Sequence, residues 1–319
     1  MLKYTLKRLG LAVLSFLIII SIVFVLIRIL PNPITVDSEE LAELIRQRRE
    51  QLGLYDPMII QYFRFLTMTL FGGNWGLSES VRPGHEVTVI FASHLPQTVV
   101  INMYAMIVSV PIGLTLGVVA AIYKNKAPDQ IISITIMLGI AVPSFVLAVF
   151  AQYIFFFRLG WFPQTVDPTT GWAEILHPSV LPSLIMPIMI LASGPIAGLA
   201  RNLRAELTES ITSDYMLLAR AKGLSYNQAI RKHAMREAMV PILPGLLAGL
   251  LGIFSGSVIV ERAFSIRGAG ALFLDAIHAV DHNLIILLTA FFTVIALLAT
   301  LVVELSYSII DPRIKVGMR

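Results

Sequence analysis

The sequence predicts an all-α polytopic membrane protein with six transmembrane helices, and three observations carry that prediction. Hydrophobic residues make up 56% of the 319 and charged residues only 14%, against roughly 25% charged in a soluble domain. The chain therefore has too few ionisable side chains to coat a surface that faces water. Its mean hydropathy is +0.80. The apolar residues also fall into long runs, of the roughly 20 residues that a helix needs to cross a bilayer. Cysteine is absent, which excludes disulfides, thiolate metal sites and cysteine nucleophiles. The net charge of +4 is read as basic residues gathered in loops on one side of a membrane, not as a nucleic-acid-binding surface.

The first run, Leu9–Leu30, follows Lys3, Lys7 and Arg8. A secretory h-region is about 7–15 residues long and ends at a small-residue cleavage site. This run is longer and has no such site, so it is expected to remain as the first transmembrane helix. Residues 31–95 are broken by Pro31, Pro33, Pro57, Gly72, Gly73, Gly76, Pro83 and Gly84. Within them a polar helix is expected over Ser38–Leu52, with Ser38 as its cap and Gly53 as its stop. Five further spans follow, over Pro96–Tyr123, Ile131–Phe157, Val180–Leu199, Met239–Val260 and Leu284–Ile309, and Glu304 is the one charged residue inside them. Pro111, Pro143, Pro182, Pro187 and Pro195 are candidates for bending these helices, which membrane helices tolerate.

Six crossings put both termini on one side. If that side is the cytoplasm, its segments hold 15 of the 24 lysines and arginines, every lysine among them. The positive-inside rule therefore places both termini in the cytoplasm. The expected organisation is an N-terminus and first helix over 1–30, an extracytoplasmic segment over 31–95, and a five-helix core over 96–319 with a cytoplasmic loop at 200–239.

That loop contains Asp214, Tyr215, Met216, Leu217, Leu218, Ala219, Arg220, Ala221, Lys222 and Gly223. Ser213 or Asp214 can cap a short helix here, Leu and Ala favour it, Lys222 suits its C-terminal dipole, and Gly223 supplies a left-handed stop. Ser225 then caps a second helix over Tyr226–Met239, which runs into Pro241. Met216, Leu217 and Leu218 are expected to face water or a partner. The residues leave two readings open: an amphipathic helix lying on lipid headgroups, or a protruding knob that fills a groove on a soluble partner. A hard stop after two turns suits the knob better.

Ala219-Arg220-Ala221-Lys222-Gly223-Leu224, followed by His233-Ala234-Met235-Arg236-Glu237-Ala238 and Pro241, resembles the EAA loop of ABC importer permeases. More narrowly it resembles the dipeptide/oligopeptide/nickel group, which commonly lacks the glutamate of the Glu-Ala start that the wider superfamily has where Leu217 and Leu218 stand here, although Glu237 replaces a usual Asn. The likeness continues along the chain, through Leu52-Gly53-Leu54-Tyr55-Asp56-Pro57, Gln61-Tyr62, Gly73-Asn74-Trp75-Gly76-Leu77-Ser78 and Leu95-Pro96-Gln97-Thr98. It also takes in Val260 to Gly270, Ala276-Ile277, Asp281 and Asp311-Pro312-Arg313. Arg267 stands where proline is usual, and His282-Asn283 departs from the usual Asp-x-Pro ending. The long segment after the first span is similar to that of the B-type permease subunit.

The resemblance implies the type I ABC importer permease fold and a multi-pass place in a bacterial or archaeal cytoplasmic membrane. It implies a heterodimer with a paralogous permease, two ATP-binding subunits and an extracytoplasmic substrate-binding protein. The chain itself would bind no cofactor; ATP and Mg2+ would sit on the ATPase subunits, and residues 214–223 would couple to them. Consistent with this, Gly-Lys never occurs as a dipeptide, so there is no phosphate-binding P-loop. The cargo implied is a di- or oligopeptide, with nickel or another metal chelate as the alternative in the same architecture.

Candidate pathway residues are Asn102, Ser109, Gln152, Ser193, Ser255, Ser257 and Glu261. Against them stands the use of serine for close helix packing, and Glu261 can pair locally beside Arg262. No metal site is expected, because His278 and His282, four apart, have no third ligand. An intramembrane protease is disfavoured because His85-Glu86 is followed by Val89 where a zinc motif needs histidine. An ion-coupled secondary transporter is disfavoured because it would place ionisable residues in mid-membrane.

Overall fold

Every apolar run expected to cross a membrane forms helix over most of its length, and the run over Ile131–Phe157 is sharply bent within it. The computed structural model describes residues 2–29, 55–167 and 177–310, with 39, 43, 46, 47, 50 and 53 as isolated positions. The chain runs through α1 (Leu2–Ile29), α2 (Met58–Arg64, with π-helical winding on through Phe65–Phe71) and α3 (Val87–Ile122). Next come α4 (Ala127–Ala141), α5 (Ser144–Ala151, wound as π-helix over Gln152–Arg158) and α6 (Leu181–Ile211). They are followed by α7 (Asp214–Ala221), α8 (Tyr226–Ala229, continuing over Ile230–Ala234 and Met235–Met239) and α9 (Leu243–Gly252). The last three are α10 (Val258–Ala263), α11 (Ala269–His278) and α12 (His282–Ile310).

Among the described residues there is no β-strand, only an isolated bridge between Leu77 and Glu86. Helices α1, α3, α6 and α12 are each long and apolar enough to span a membrane, and the α4–α5 and α8–α9 pairs make six if each counts as one span. The expected polar helix over Ser38–Leu52 lies outside the described residues apart from isolated positions, as does Asp311-Pro312-Arg313. Gly53 is described, and it has the left-handed φ of +65° that a glycine stop requires.

The bends have local causes. Between α4 and α5 the axis turns by 103°, because Val142 and Pro143 are both extended, with ψ of 122° and 140°. A residue before proline is pushed out of helical conformation by the ring. Between α8 and α9 the turn is 59°, where Pro241 has no N–H to donate and Pro244 occupies the first turn of α9. Pro111, Pro187 and Pro195 sit inside helices that continue through them.

Besides the break at Val142–Pro143, three spans differ from expectation, the first because α3 begins at Val87, within the segment expected to be extracytoplasmic. Helix α6 runs past Leu199 to Ile211, because an amphipathic face continues beyond the apolar run: Ala200, Leu203, Leu207 and Ser210 are all buried. The run expected over Met239–Val260 is not one helix. Helix α9 ends at Gly252, and the chain leaves helical winding until Val258. The cause is a backbone crossing, since a Cβ on Gly256 would lie 2.5 Å from the Gly270 nitrogen.

The chain forms two compact units. One consists of Met1–Leu9, Leu95–Ala271 and Ile295–Arg319, the other of Gly10–His94 and Leu272–Val294. The first has one core around Ile101, Leu184, Met186, Val260 and Phe264, and another around Leu203, Leu207, Met216, Ala229 and Ile230. Two ion pairs tie its helices. Arg204 grips Asp129 with two bonds, Nε to Oδ1 and Nη2 to Oδ2 at 2.8 Å, and so holds α4 on α6. Arg8 meets Glu304 at 3.1 Å. In the second unit Phe24 stacks on Phe65 at 5.0 Å, Ser21 and Tyr62 share a hydroxyl hydrogen bond of 2.6 Å, and Phe91 packs on Phe291 at 4.7 Å.

Candidate functional site

Helix α7 is two turns long because both its ends are closed by sequence. Ser213 has the extended backbone of a cap, φ −76° and ψ 160°, but its hydroxyl donates to the Ser210 carbonyl instead of capping. Asp214 in the first turn complements the helix dipole. At the other end Gly223 has a φ of +89°. Its N–H donates to the Arg220 carbonyl at 2.9 Å, and that of Leu224 to Ala219 at 3.3 Å. Those two bonds make a Schellman stop, which needs the left-handed residue. Helix α8 begins at once with a complete capping box between Ser225 and Gln228.

One side of α7 is seated and the other is free. Met216 and Ala219, three residues apart, are buried against Leu203, Leu207, Ala229 and Ile230. Met216 is therefore a core residue and not, as expected, part of the presented surface. Tyr215, Leu217 and Leu218 are 55%, 65% and 55% exposed, and Asp214, Arg220, Ala221, Lys222 and Gly223 are exposed too.

A cavity of about 640 Å³ lies in the same unit, between α3, α6 and the α9 region, with Tyr307 of α12 at its wall. Each wall is a helical stripe at three- and four-residue spacing. Asn102, Met106 and Ser109 come from α3, Pro195, Asn202 and Glu206 from α6, and Gly245, Gly249 and Gly252 from α9. A Cβ on any of those glycines, or on Gly198 of α6, would meet nothing within 4 Å. Their small size thus opens the cavity instead of admitting a neighbouring helix. Asn202, Glu206 and Tyr307 are absent from the candidates that the sequence suggests. The signal for Asn202 and Glu206 is the α6 stripe, which is lost when that span is ended at Leu199; Tyr307 lies on α12, inside the span expected there.

Of the candidate polar residues, Asn102 and Ser109 line the cavity, whereas Gln152, Ser193, Ser255, Ser257 and Glu261 are not among its lining residues. Ser193 gives its hydroxyl to the Ile190 carbonyl of its own helix. Gln152 donates from Nε2 to the carbonyls of Gln164 and Ala263 at 3.1 and 2.9 Å. Asn102 donates from Nδ2 to the carbonyls of Ile253 and Ser255, at 3.3 and 3.0 Å, in the unwound stretch after α9. Glu261 is fully buried. Its Oε1 accepts from Thr98 Oγ1 at 2.9 Å and from Ser257 N–H at 3.2 Å, and its Oε2 accepts from Ala271 N–H at 2.8 Å. A Cβ on Gly268 or Gly270 would strike that carboxylate. Glu261 thus gathers the turn between α10 and α11 and does not line the cavity.

The second unit has a comparable centre in Asp281. Its Oδ2 accepts from the Ser78 hydroxyl and from the N–H groups of Glu79, Ser80 and Val81, each of the three at 3.1 Å. Its Oδ1 caps α12 through Leu284 N–H at 3.3 Å. Beside it His282 Nδ1 meets Glu79 at 2.9 Å, and Asn283 donates to the Leu77 carbonyl at 2.9 Å. Among the described residues no group of three or more His, Asp or Glu could hold a metal ion.

Apolar spans around a cavity, a seated helix with a free apolar face, and buried carboxylates spent on structure define a membrane transport component. The comparisons name its kind. Residues 113–316 match the family described as "Binding-protein-dependent transport system inner membrane component", and residues 1–110 match the N-terminal model of the same membrane components. The chain belongs to this family. It is 34% identical over 315 residues to a dipeptide transport system permease protein of Lactococcus lactis, covering 99% of this chain and 100% of that one. It is 33% identical over 316 residues to an oligopeptide transport system permease protein of Haemophilus influenzae, at 99% and 100% coverage. A solved structure of an amino acid ABC transporter superposes with a TM-score of 0.53 at 20% identity, over 69% of this chain and 94% of that one. The fold is that of the type I ABC importer permeases.

Proposed function

We propose that the chain is one of two paralogous permease subunits of an ATP-driven importer that carries di- or oligopeptides across a bacterial or archaeal cytoplasmic membrane. The observation that carries this reading is its full-length likeness to a dipeptide and an oligopeptide permease. A permease subunit of such a system is not an enzyme. Two ATP-binding subunits hold ATP and Mg2+ and hydrolyse it, and a substrate-binding protein delivers the peptide from outside.

The seating of α7 on α6 and α8 supports a coupling role for it. With both termini in the cytoplasm, as the distribution of lysine and arginine favours, α7 stands on the cytoplasmic side. There Tyr215, Leu217 and Leu218 enter a groove on an ATPase subunit, within a contact that runs from Asp214 to Gly223. Because Met216 and Ala219 are buried against α6 and α8, α7 cannot move without them. Closure of the ATPases is thereby transmitted to α6, a wall of the cavity, and switches the passage between its two openings as a rigid-body transition.

The test is reconstitution of both permeases and both ATPase subunits in proteoliposomes, with the binding protein and labelled peptide. Accumulation that requires hydrolysable ATP is expected. A complex that hydrolyses ATP yet accumulates no di- or oligopeptide would sink the reading.

A further inference from the structure

The cavity wall carries one charged group that the mechanism leaves unused. Among the lining residues Glu206 is the sole charged side chain; the others are apolar residues, glycines, two asparagines, a serine and a tyrosine. Asp129, Glu261, Asp281 and Glu304 each have protein donors or a cation against them. The carboxylate of Glu206 makes no ion pair or hydrogen bond with any described residue. It is half-buried on α6, on the stripe that also presents Pro195 and Asn202 to the cavity. A carboxylate set in a largely apolar wall is incompletely hydrated, and no cation from the described protein compensates it. A cleft with low-dielectric walls and charge of one sign concentrates mobile counter-charge.

We propose that Glu206 is a charge-selecting residue of the passage. It receives a cationic group of the cargo, an ammonium or guanidinium, and disfavours cargo with excess negative charge. This rests on the reading of the chain as a peptide permease, whose cargo offers such groups in its α-amine and in lysine or arginine side chains. An ammonium has three donors; the carboxylate takes one or two, and the Asn202 amide oxygen, one turn earlier on the same stripe, can accept another. The glycines of α9 leave room for side chains of differing size, so this part of the wall sorts by charge more than by shape. No neighbour on α6 competes for the carboxylate, since Leu203 and Leu207 are buried in the core and Arg204 is taken by Asp129.

The complete transporter in proteoliposomes tests this with three tripeptides that differ only at the central residue: lysine, alanine or glutamate. Initial uptake is compared at equal occupancy of the binding protein, measured separately, so that selectivity upstream is removed. The native chain is expected to carry the lysine peptide about tenfold faster than the glutamate peptide, the factor that corresponds to about 1.4 kcal/mol. Glu206→Gln is expected to bring that ratio near one, and Glu206→Lys to invert it, each rate being read against that of the alanine peptide in the same variant. An unchanged ratio in both active variants would overturn the proposal and leave the peptide reading standing. Loss of all three peptides together with loss of the second permease from the purified complex would also overturn it, because Glu206 would then be pairing with a cation of the neighbouring subunit. A native transporter that carries none of the three would overturn the peptide reading, and this proposal with it.

Discussion

Asp281 and Glu261 each collect donors from segments far apart in the chain, and single substitutions there act through geometry more than through charge. Asp281→Ala strands the Ser78 hydroxyl and the N–H groups of Glu79, Ser80 and Val81, which the carboxylate now satisfies. Buried donors left without acceptors destabilise by about 1–3 kcal/mol each when none can relax. The detergent-purified variant is therefore expected to unfold at lower temperature and to exchange its amide hydrogens faster at residues 78–81. Unchanged exchange there would show that the carboxylate is not the tie. Leu218→Asp is the opposite case. Leu218 is 55% exposed, so the change should alter stability by no more than about 0.5 kcal/mol, yet abolish ATP-driven uptake by putting a charge into an apolar groove. Normal stability with normal uptake would remove Leu218 from the contact. Neither hub is legible as a hub in the sequence. Asn74-Trp75-Gly76-Leu77-Ser78 and Asp281 stand there as separate motifs. That they touch is a long-range fact, set by how α12 begins against residues 76–81.

Local signals fare better at the scale of elements, where cause and effect are neighbours in sequence. The Gly223 stop and the Ser225 cap are readable because each is completed within a few residues. The same locality makes α7 breakable. Gly223→Pro removes the N–H that bonds to Arg220 and forbids the φ of +89°. It is expected to leave membrane insertion intact while lowering peptide uptake and stimulated ATPase activity together, both measured in proteoliposomes. Retention of both activities would mean that α7 does not transmit. Burial within α7 is legible only in part. Met216 and Ala219 are three apart, which marks a face, but which face is buried depends on α6 continuing past Arg201. Bending is equally partial. Pro111, Pro143, Pro187 and Pro195 all lack the same N–H, yet only Pro143 stands at a break; the tertiary packing that decides between them has no local signature.

For the whole molecule, the six spans can be counted from composition, whereas the cavity cannot be foreseen. Its polar groups arrive from α3, α6 and α12, and its openness comes from Gly245, Gly249 and Gly252, which in a sequence look like the small residues of a packed helix pair. Gly249→Trp separates the two meanings. A Cβ at Gly249 meets nothing within 4 Å, so the variant is expected to keep its stability within about 0.5 kcal/mol while slowing oligopeptides more than dipeptides. A large fall in melting temperature would mean that the glycines serve packing instead.

The stretch between α9 and α10 bears on what such a wall is made of. Backbone that leaves its helix within a bilayer must find partners inside the protein, and at residues 253 and 255 the partner is the single amide of Asn102. Two neutral hydrogen bonds of this kind contribute roughly 1–3 kcal/mol together, a sum that thermal motion can exchange. The wall is therefore fastened there by a latch and not by a weld, and the latch is a side chain that itself lines the cavity.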